Sequence, residues 1–110
     1  MGSKNYDVIL VGSGSGKTAI QRVLDEDPDK EVAVVEKDEL GGICLNRGCR
    51  PSKHLLYPAD LVRSIEEAHG VGIVGAVRGK DFRAVMERTR QNQDRAREKI
   101  KQTFFARDNV

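Results

Sequence analysis

Apolar positions follow two different periods along this 110-residue chain. Near the start, Tyr6-Asp7-Val8-Ile9-Leu10-Val11 becomes continuously apolar and then meets glycines. That pattern predicts a strand covered on both faces, as in a parallel sheet. Gly12-Ser13-Gly14-Ser15-Gly16 reads as the turn. From Thr18 to about Glu26, Ile20, Val23 and Leu24 share one face of a short helix that stops before Pro28. Asp27-Pro28-Asp29-Lys30 is a loop, and Glu31-Val32-Ala33-Val34-Val35-Glu36 is a second β-branched strand ending in an acid. Residues 6–36 therefore read β-α-β, with a right-handed crossover expected.

The later part of the chain switches to helical spacing. Leu55, Leu56, Leu61, Val62, Ile65 and Ala68 predict a helix over about 53–69 with its stop at Gly70. Pro58 is expected to kink this helix or divide it. Val71 to Val77 is glycine-spaced and fits either a loop or a short strand. Asp81 is placed to cap a final helix over about 81–107. Its apolar positions Phe82, Val85, Met86, Ile100 and Phe104 are thinly spread among charges. There is no internal repeat or low-complexity tract.

Composition narrows the function classes. The length suits one domain and is short for two. Nineteen basic against seventeen acidic side chains create no global field for nucleic acid or a membrane surface. No apolar run approaches the roughly 20 residues of a membrane helix. Nothing at the N-terminus resembles a cleaved signal, and Met1-Gly2-Ser3 reads as an expression remnant. A soluble, cytoplasmic protein is expected. With two Tyr, three Phe and no Trp, a large independent core is not expected. Nine basic and four acidic residues between Lys80 and Arg107 are compatible with nucleic acid, but a solvated helix is the expectation.

The glycine turn admits three readings: a P-loop, a dinucleotide loop or a plain structural turn. In Val11-Gly12-Ser13-Gly14-Ser15-Gly16-Lys17-Thr18 the first P-loop glycine would fall on Val11, so that match fails by one residue. A dinucleotide loop places its first two glycines at Gly12 and Gly14, where tight turning and close approach to a pyrophosphate need them. Its third glycine would be Lys17, with Gly16 adjacent. Glu36, 22 residues after Gly14, closes the second strand where an acid would hold a ribose hydroxyl. That acid favours the dinucleotide, although a solvated strand-end acid is the plain alternative.

The only cysteines, Cys44 and Cys49, stand in Gly41-Gly42-Ile43-Cys44-Leu45-Asn46-Arg47-Gly48-Cys49-Arg50-Pro51-Ser52-Lys53. A metal site with His54 and His69 fits no zinc module well, and no metal is expected. Inert core thiols and a redox pair remain as alternatives. Five steps of an ideal helix rise about 7.5 Å, beyond the usual ~4.4–6.8 Å between bridged Cα atoms. A bridge thus needs a distorted turn, which Gly48 permits and Pro51 delimits. A helix N-terminus with Arg47, Arg50 and Lys53 would favour a thiolate, unless the arginines point to solvent.

Together, the glycine loop, Glu36 and the thirteen residues from Gly41 to Lys53 resemble the N-terminal part of the class I pyridine nucleotide-disulfide oxidoreductases. The likeness covers nearly the whole chain and weakens after Gly70. It implies an α/β fold, a partial Rossmann-like FAD-binding domain, in which residues 1–110 form the first part. By this resemblance Gly12, Gly14, Ser15 and Gly16 would line the FAD pyrophosphate, and Glu36 with Lys37 would hold the adenosine ribose. Gly41, Gly42 and Ile43 would pass close to the cofactor. Cys49 would be the flavin-proximal thiol, Cys44 the interchange thiol that attacks the substrate, and Lys53 would sit near flavin N5. Two departures stand out. Ile43 replaces a usual threonine, removing a hydroxyl, and Arg50 puts a charge in a normally apolar slot.

In the family, electrons pass from NAD(P)H to FAD, to the disulfide, and then to a small disulfide or thiol substrate. The whole enzymes are homodimers with an NAD domain and an interface domain that supplies a His–Glu pair. These later parts are not in this sequence, and neither His54 nor His69 matches the family's catalytic histidine. The chain ends at Asp108-Asn109-Val110, where the family's next strand would begin. The resemblance therefore implies a fragment, to be completed by C-terminal domains or a complementing chain.

Overall fold

The computed structural model describes residues 3–110; Met1 and Gly2, part of the expected expression remnant, lie outside them. Strand β1 (Val8–Val11) and strand β2 (Val32–Val35) pair in parallel, Val8 opposite Val32 and Val11 opposite Val35. Helix α1 (Lys17–Glu26) connects them, so the expected β-α-β order is present. The result is a small α/β assembly whose sheet has two strands.

The continuous apolar run predicted burial on both faces of the sheet, and only one face is covered. Side chains alternate along a strand. Ile20 and Leu24 of α1 close over Val32, with Val8, Leu10, Val34, Phe105 and Val110 packed around them. Ile9, Val11 and Val35 point the other way and are exposed, because nothing among the described residues lies over them. The tail beyond the last helix returns to β2: the Val32 N–H donates to the Asn109 carbonyl at 2.8 Å. The Asn109 amide also donates to the carbonyls of Pro28 and Lys30.

Helix α2 (Gly42–Asn46) is short, and α3 (Cys49–Glu67) follows after a two-residue break. Pro58 was expected to kink or divide the second-half helix; division does not occur, since α3 runs through it. Proline already holds a helical φ; it leaves the His54 carbonyl without its N–H donor and crowds that carbonyl with its ring. A 3-10 turn (Ala68–Val71) extends the helix past Gly70, and Gly72 ends it at φ +80°. Residues 73–80 adopt no regular structure, which decides for a loop. Asp81 caps α4 (Phe82–Phe104) by accepting the Ala84 N–H at 3.0 Å.

α3 and α4 lie side by side, and no residue of α3 is buried. The radius of gyration is 20.6 Å, against about 13 Å for a compact domain of this size. The helical pair projects from the sheet rather than wrapping it.

Candidate functional site

The site is assembled where the chain leaves each strand. Gly12 turns at φ +88°, in the left-handed region that favours glycine, and its N–H bonds the Val35 carbonyl at 2.7 Å. The next residue, Ser13, is fully buried. Its N–H and hydroxyl both donate to Glu36 Oε2, at 2.8 and 2.6 Å, while its Oγ accepts the Gly41 N–H at 2.9 Å. One small side chain thus ties the glycine loop, the end of β2 and the start of α2. Gly42 presses on the same loop: a Cβ there would stand 2.7 Å from the Gly14 Cα.

These bonds fix the electrostatics of Glu36. The Ser13 hydroxyl first, then the Ser13 N–H and the Asp38 N–H, hold its carboxyl down at about 2, against an ordinary 4.5. Asp38 is also lowered, by the Glu39 N–H and by Arg47, whose guanidinium lies 2.6 Å from it. Arg47 is therefore paired at the surface. Glu36, Lys37, Gly42 and Ile43 border a hollow of about 150 Å³.

Helix α1 begins at this loop without a side-chain cap and without an acid in its first turn. The N–H groups of Gly14, Ser15 and Gly16 donate to no acceptor among the described residues. A helix N-terminus of this kind suits an anion. The chemistry of the loop therefore fits a pyrophosphate.

The helix breaks between the cysteines. Cys44 lies in α2, Arg47 ends that helix, and Gly48 turns the chain at φ −129°, ψ −116° so that Cys49 opens α3. A Cβ on Gly48 would come within 3.1 Å of the Ile43 carbonyl and 3.3 Å of the Cys44 Cα, so glycine is what lets the turn close. Both thiols are free and exposed. The neighbouring Cys44 thiol, ahead of burial, raises the Cys49 pKa above its ordinary value. At Cys49 this direction runs against the expected thiolate bias: Lys53 pulls downward, and the neighbouring thiol and burial outweigh it.

Helix α4 is largely exposed, as expected of a solvated helix, and one side of it also grips this segment. Gln93 donates to the carbonyls of Leu45 and Asn46, at 3.1 and 2.8 Å, satisfying the end of α2. Arg97 donates to Asn46 Oδ1 at 2.8 Å and Glu39 Oε2 at 2.6 Å, and also pairs with Asp94. Asn46 in turn donates to the carbonyls of Glu39 and Leu40. Between α4, the glycine loop and the α2–α3 junction lies an open cleft of about 440 Å³ bordered by Ser15, Gly41 and Cys44.

The structure brings together Gly12, Gly14, Ser15, Gly16, Glu36, Gly41 and Gly42, and sets Cys44 against Cys49. Lys53 lies on α3 near Cys49, and His54 and His69 stand apart from both hollows. Ser13, Asn46, Gln93 and Arg97 are the residues that sequence reasoning left without a role. Among the described residues no group of three or more His, Cys, Asp or Glu comes together, and no helix is long and apolar enough to cross a membrane.

No family model matches the chain. It is similar to the dihydrolipoyl dehydrogenase of Bacillus subtilis (strain 168), 39% identical over 83 residues, which are 76% of this chain and 17% of that protein. The dihydrolipoyl dehydrogenase of Rhizobium etli is 37% identical over 90 residues, 80% of this chain and 18% of that protein. The mycothione reductase of Mycobacterium tuberculosis (strain ATCC 25618 / H37Rv) is 38% identical over 71 residues, 64% of this chain and 15% of that protein. The chain spans less than a fifth of the length of these relatives.

Proposed function

We infer that this chain, a member of the class I pyridine nucleotide-disulfide oxidoreductase family, is the FAD-binding, disulfide-bearing portion of one of its enzymes. The observation that carries the reading is the tight helix break at Gly48 that separates Cys44 from Cys49, beside a loop with unsatisfied N–H donors. The N–H groups of Gly14, Ser15 and Gly16 would hold the pyrophosphate, with Glu36 and Lys37 at the ribose. Gly41 and Gly42 leave the backbone bare beside it, and Ile43, Cys49 and Lys53 would face the flavin. When bound, FAD would supply electrons taken from NAD(P)H.

The chain's own part is thiol–disulfide exchange. The Cys44 thiolate attacks one sulfur of a small disulfide, forming a mixed disulfide and releasing one thiol. Cys49 then loses its proton and displaces the second thiol, leaving the Cys44–Cys49 disulfide. The whole enzyme's turnover also needs the NAD and dimer-interface parts that the family carries, supplied by further domains or a complementing chain in a cytoplasmic homodimer. The bare sheet face of Ile9, Val11 and Val35 favours a second reading, in which the chain acts only when a partner covers that face.

Adding FAD to the full chain, then gel filtration and an absorption spectrum before and after NADH or dithionite, separates the two. Retained flavin absorbance that Glu36→Ala abolishes supports the cofactor reading. Flavin-free protein after reconstitution overturns it and leaves the complementation reading.

A further inference from the structure

Helix α4 meets the redox segment along one side. Thr89, Gln93, Arg97 and Ile100 follow one another at three- or four-residue steps and so share a face. Thr89 is buried and the other three are half-buried, whereas Gln91, Asp94, Arg95 and Glu98 are exposed. Most polar side chains of α4 that make hydrogen bonds make them within the helix: Thr89 bonds the Val85 carbonyl, Asn92 the Arg88 carbonyl and Gln102 the Glu98 carboxylate. Gln93 and Arg97 reach outward instead. The Gln93 amide has two N–H groups and spends them on α2, at the Leu45 and Asn46 carbonyls. Arg97 bonds the Asn46 side chain and Glu39.

The two carbonyls that Gln93 takes lie between the thiols. In a helix each carbonyl accepts the N–H four residues on. Were α2 to continue into α3, Leu45 and Asn46 would therefore bond the N–H groups of Cys49 and Arg50. Gln93 satisfies both carbonyls without that continuation, and Gly48 turns the chain between them and Cys49. The two arrangements differ in what the thiols can do. A continuous helix sets the cysteine Cα atoms about 7.5 Å apart along its axis, beyond the usual ~4.4–6.8 Å of a disulfide. The dithiol tolerates either arrangement, and the disulfide only the broken one. A contact made only across the break shifts the balance toward the disulfide.

We propose that Gln93 is a positioning residue for the Cys44–Cys49 pair: its amide holds the end of α2 away from α3 and so sets the dithiol–disulfide equilibrium. Arg97 supports it by fixing Asn46. The proposal rests on the reading of the two cysteines as a redox pair. Against oxidised glutathione as a probe, the chain's two thiols give up two electrons and two protons and form one S–S bond. The probe's S–S bond breaks, and it takes up those electrons and protons as two molecules of reduced glutathione.

The full chain is equilibrated near neutral pH with mixtures of reduced and oxidised glutathione, free thiols are trapped with iodoacetamide, and dithiol and intramolecular disulfide are counted by mass spectrometry. The parent's equilibrium constant should lie well above its value in concentrated urea. Gln93→Met keeps the length of the side chain and has no N–H; it should lower the native constant about tenfold, the loss of two hydrogen bonds, or about 30 mV. Gln93→Lys restores donors and should stay within about threefold of the parent. Gln93→Asn withdraws the amide by one methylene and should lose about threefold; it is the variant to read if Gln93→Met loses its helical circular dichroism. Gln102→Leu, on the same helix and exposed, should leave the constant unchanged. A constant unmoved in the folded Gln93→Met or Gln93→Asn chain, or lowered as far in Gln93→Lys as in Gln93→Met, overturns the positioning role and leaves the redox pair standing. A parent whose native constant equals its value in urea overturns the redox pair and the positioning role with it.

Discussion

With its side chain shut away from solvent, Ser13 directs its N–H and its hydroxyl proton to one oxygen of Glu36 and takes the Gly41 N–H in return. Ser13→Ala deletes two of these bonds and strands the Gly41 donor. The expected cost is about 1–3 kcal/mol, measured by urea unfolding near neutral pH. The same residue governs acid behaviour. Glu36 titrates at about 2 in the fold, against 4.5, so its contribution is fully present above pH 4.5 and is lost as pH falls toward 2. Ser13→Ala raises the folded pKa toward its ordinary value, so its unfolding free energy should fall less steeply than the parent's across that window. Equal slopes would show that other groups set the acid limit. The sequence marked Glu36, because an acid at a strand end is a local signal. It did not mark Ser13, whose partners lie 23 and 28 residues away.

At the scale of elements, the two strands, α1 and the Asp81 cap were legible, since hydrophobic period and capping chemistry are written within a few adjacent residues. The break between the cysteines was legible too, from the reach of a disulfide. The grip of α4 on α2 was not. Gln93 and Arg97 look like ordinary members of a charged helix until α2 ends against them. Packing of the glycine loop on α2 is likewise invisible in the order of residues, and it carries a sharp prediction. Gly42 sits at φ +68°, and a Cβ there would collide with Gly14 backbone at 2.7 Å. Gly42→Ala meets both the left-handed penalty of about 1–2 kcal/mol and that collision, and the loop must move. Gly70 has nothing within 4 Å and no positive φ, so Gly70→Ala is the matched control. In urea unfolding, Gly42→Ala should lose more than about 2 kcal/mol, and Gly70→Ala should change by less than about 1 kcal/mol. Equal changes would mean that α2 is free of the loop.

For the molecule as a whole, the buried apolar residues are few: Ile20, Leu24 and Val32 against one sheet face, and Leu45 under the redox segment. The second face presents Ile9, Val11 and Val35 to solvent on a sheet of two strands, a size that is marginal alone in water. Strands written as unbroken apolar runs are matched to burial on both sides. The bare face is thus where further chain, or another copy, would adhere. Two sets of substitutions separate the faces. Leu24→Ala, on the covered side, should cost about 2–5 kcal/mol, enough to unfold a domain of marginal stability. Ile9→Thr with Val35→Thr keeps β-branched side chains that suit a strand. It should change unfolding free energy by no more than about 0.5 kcal/mol per site. In sedimentation velocity, the double variant should also lose whatever self-association the parent shows with rising concentration. If the double variant unfolds as readily as Leu24→Ala, the second face is already covered in the folded chain, and the case for a completing partner on that side falls.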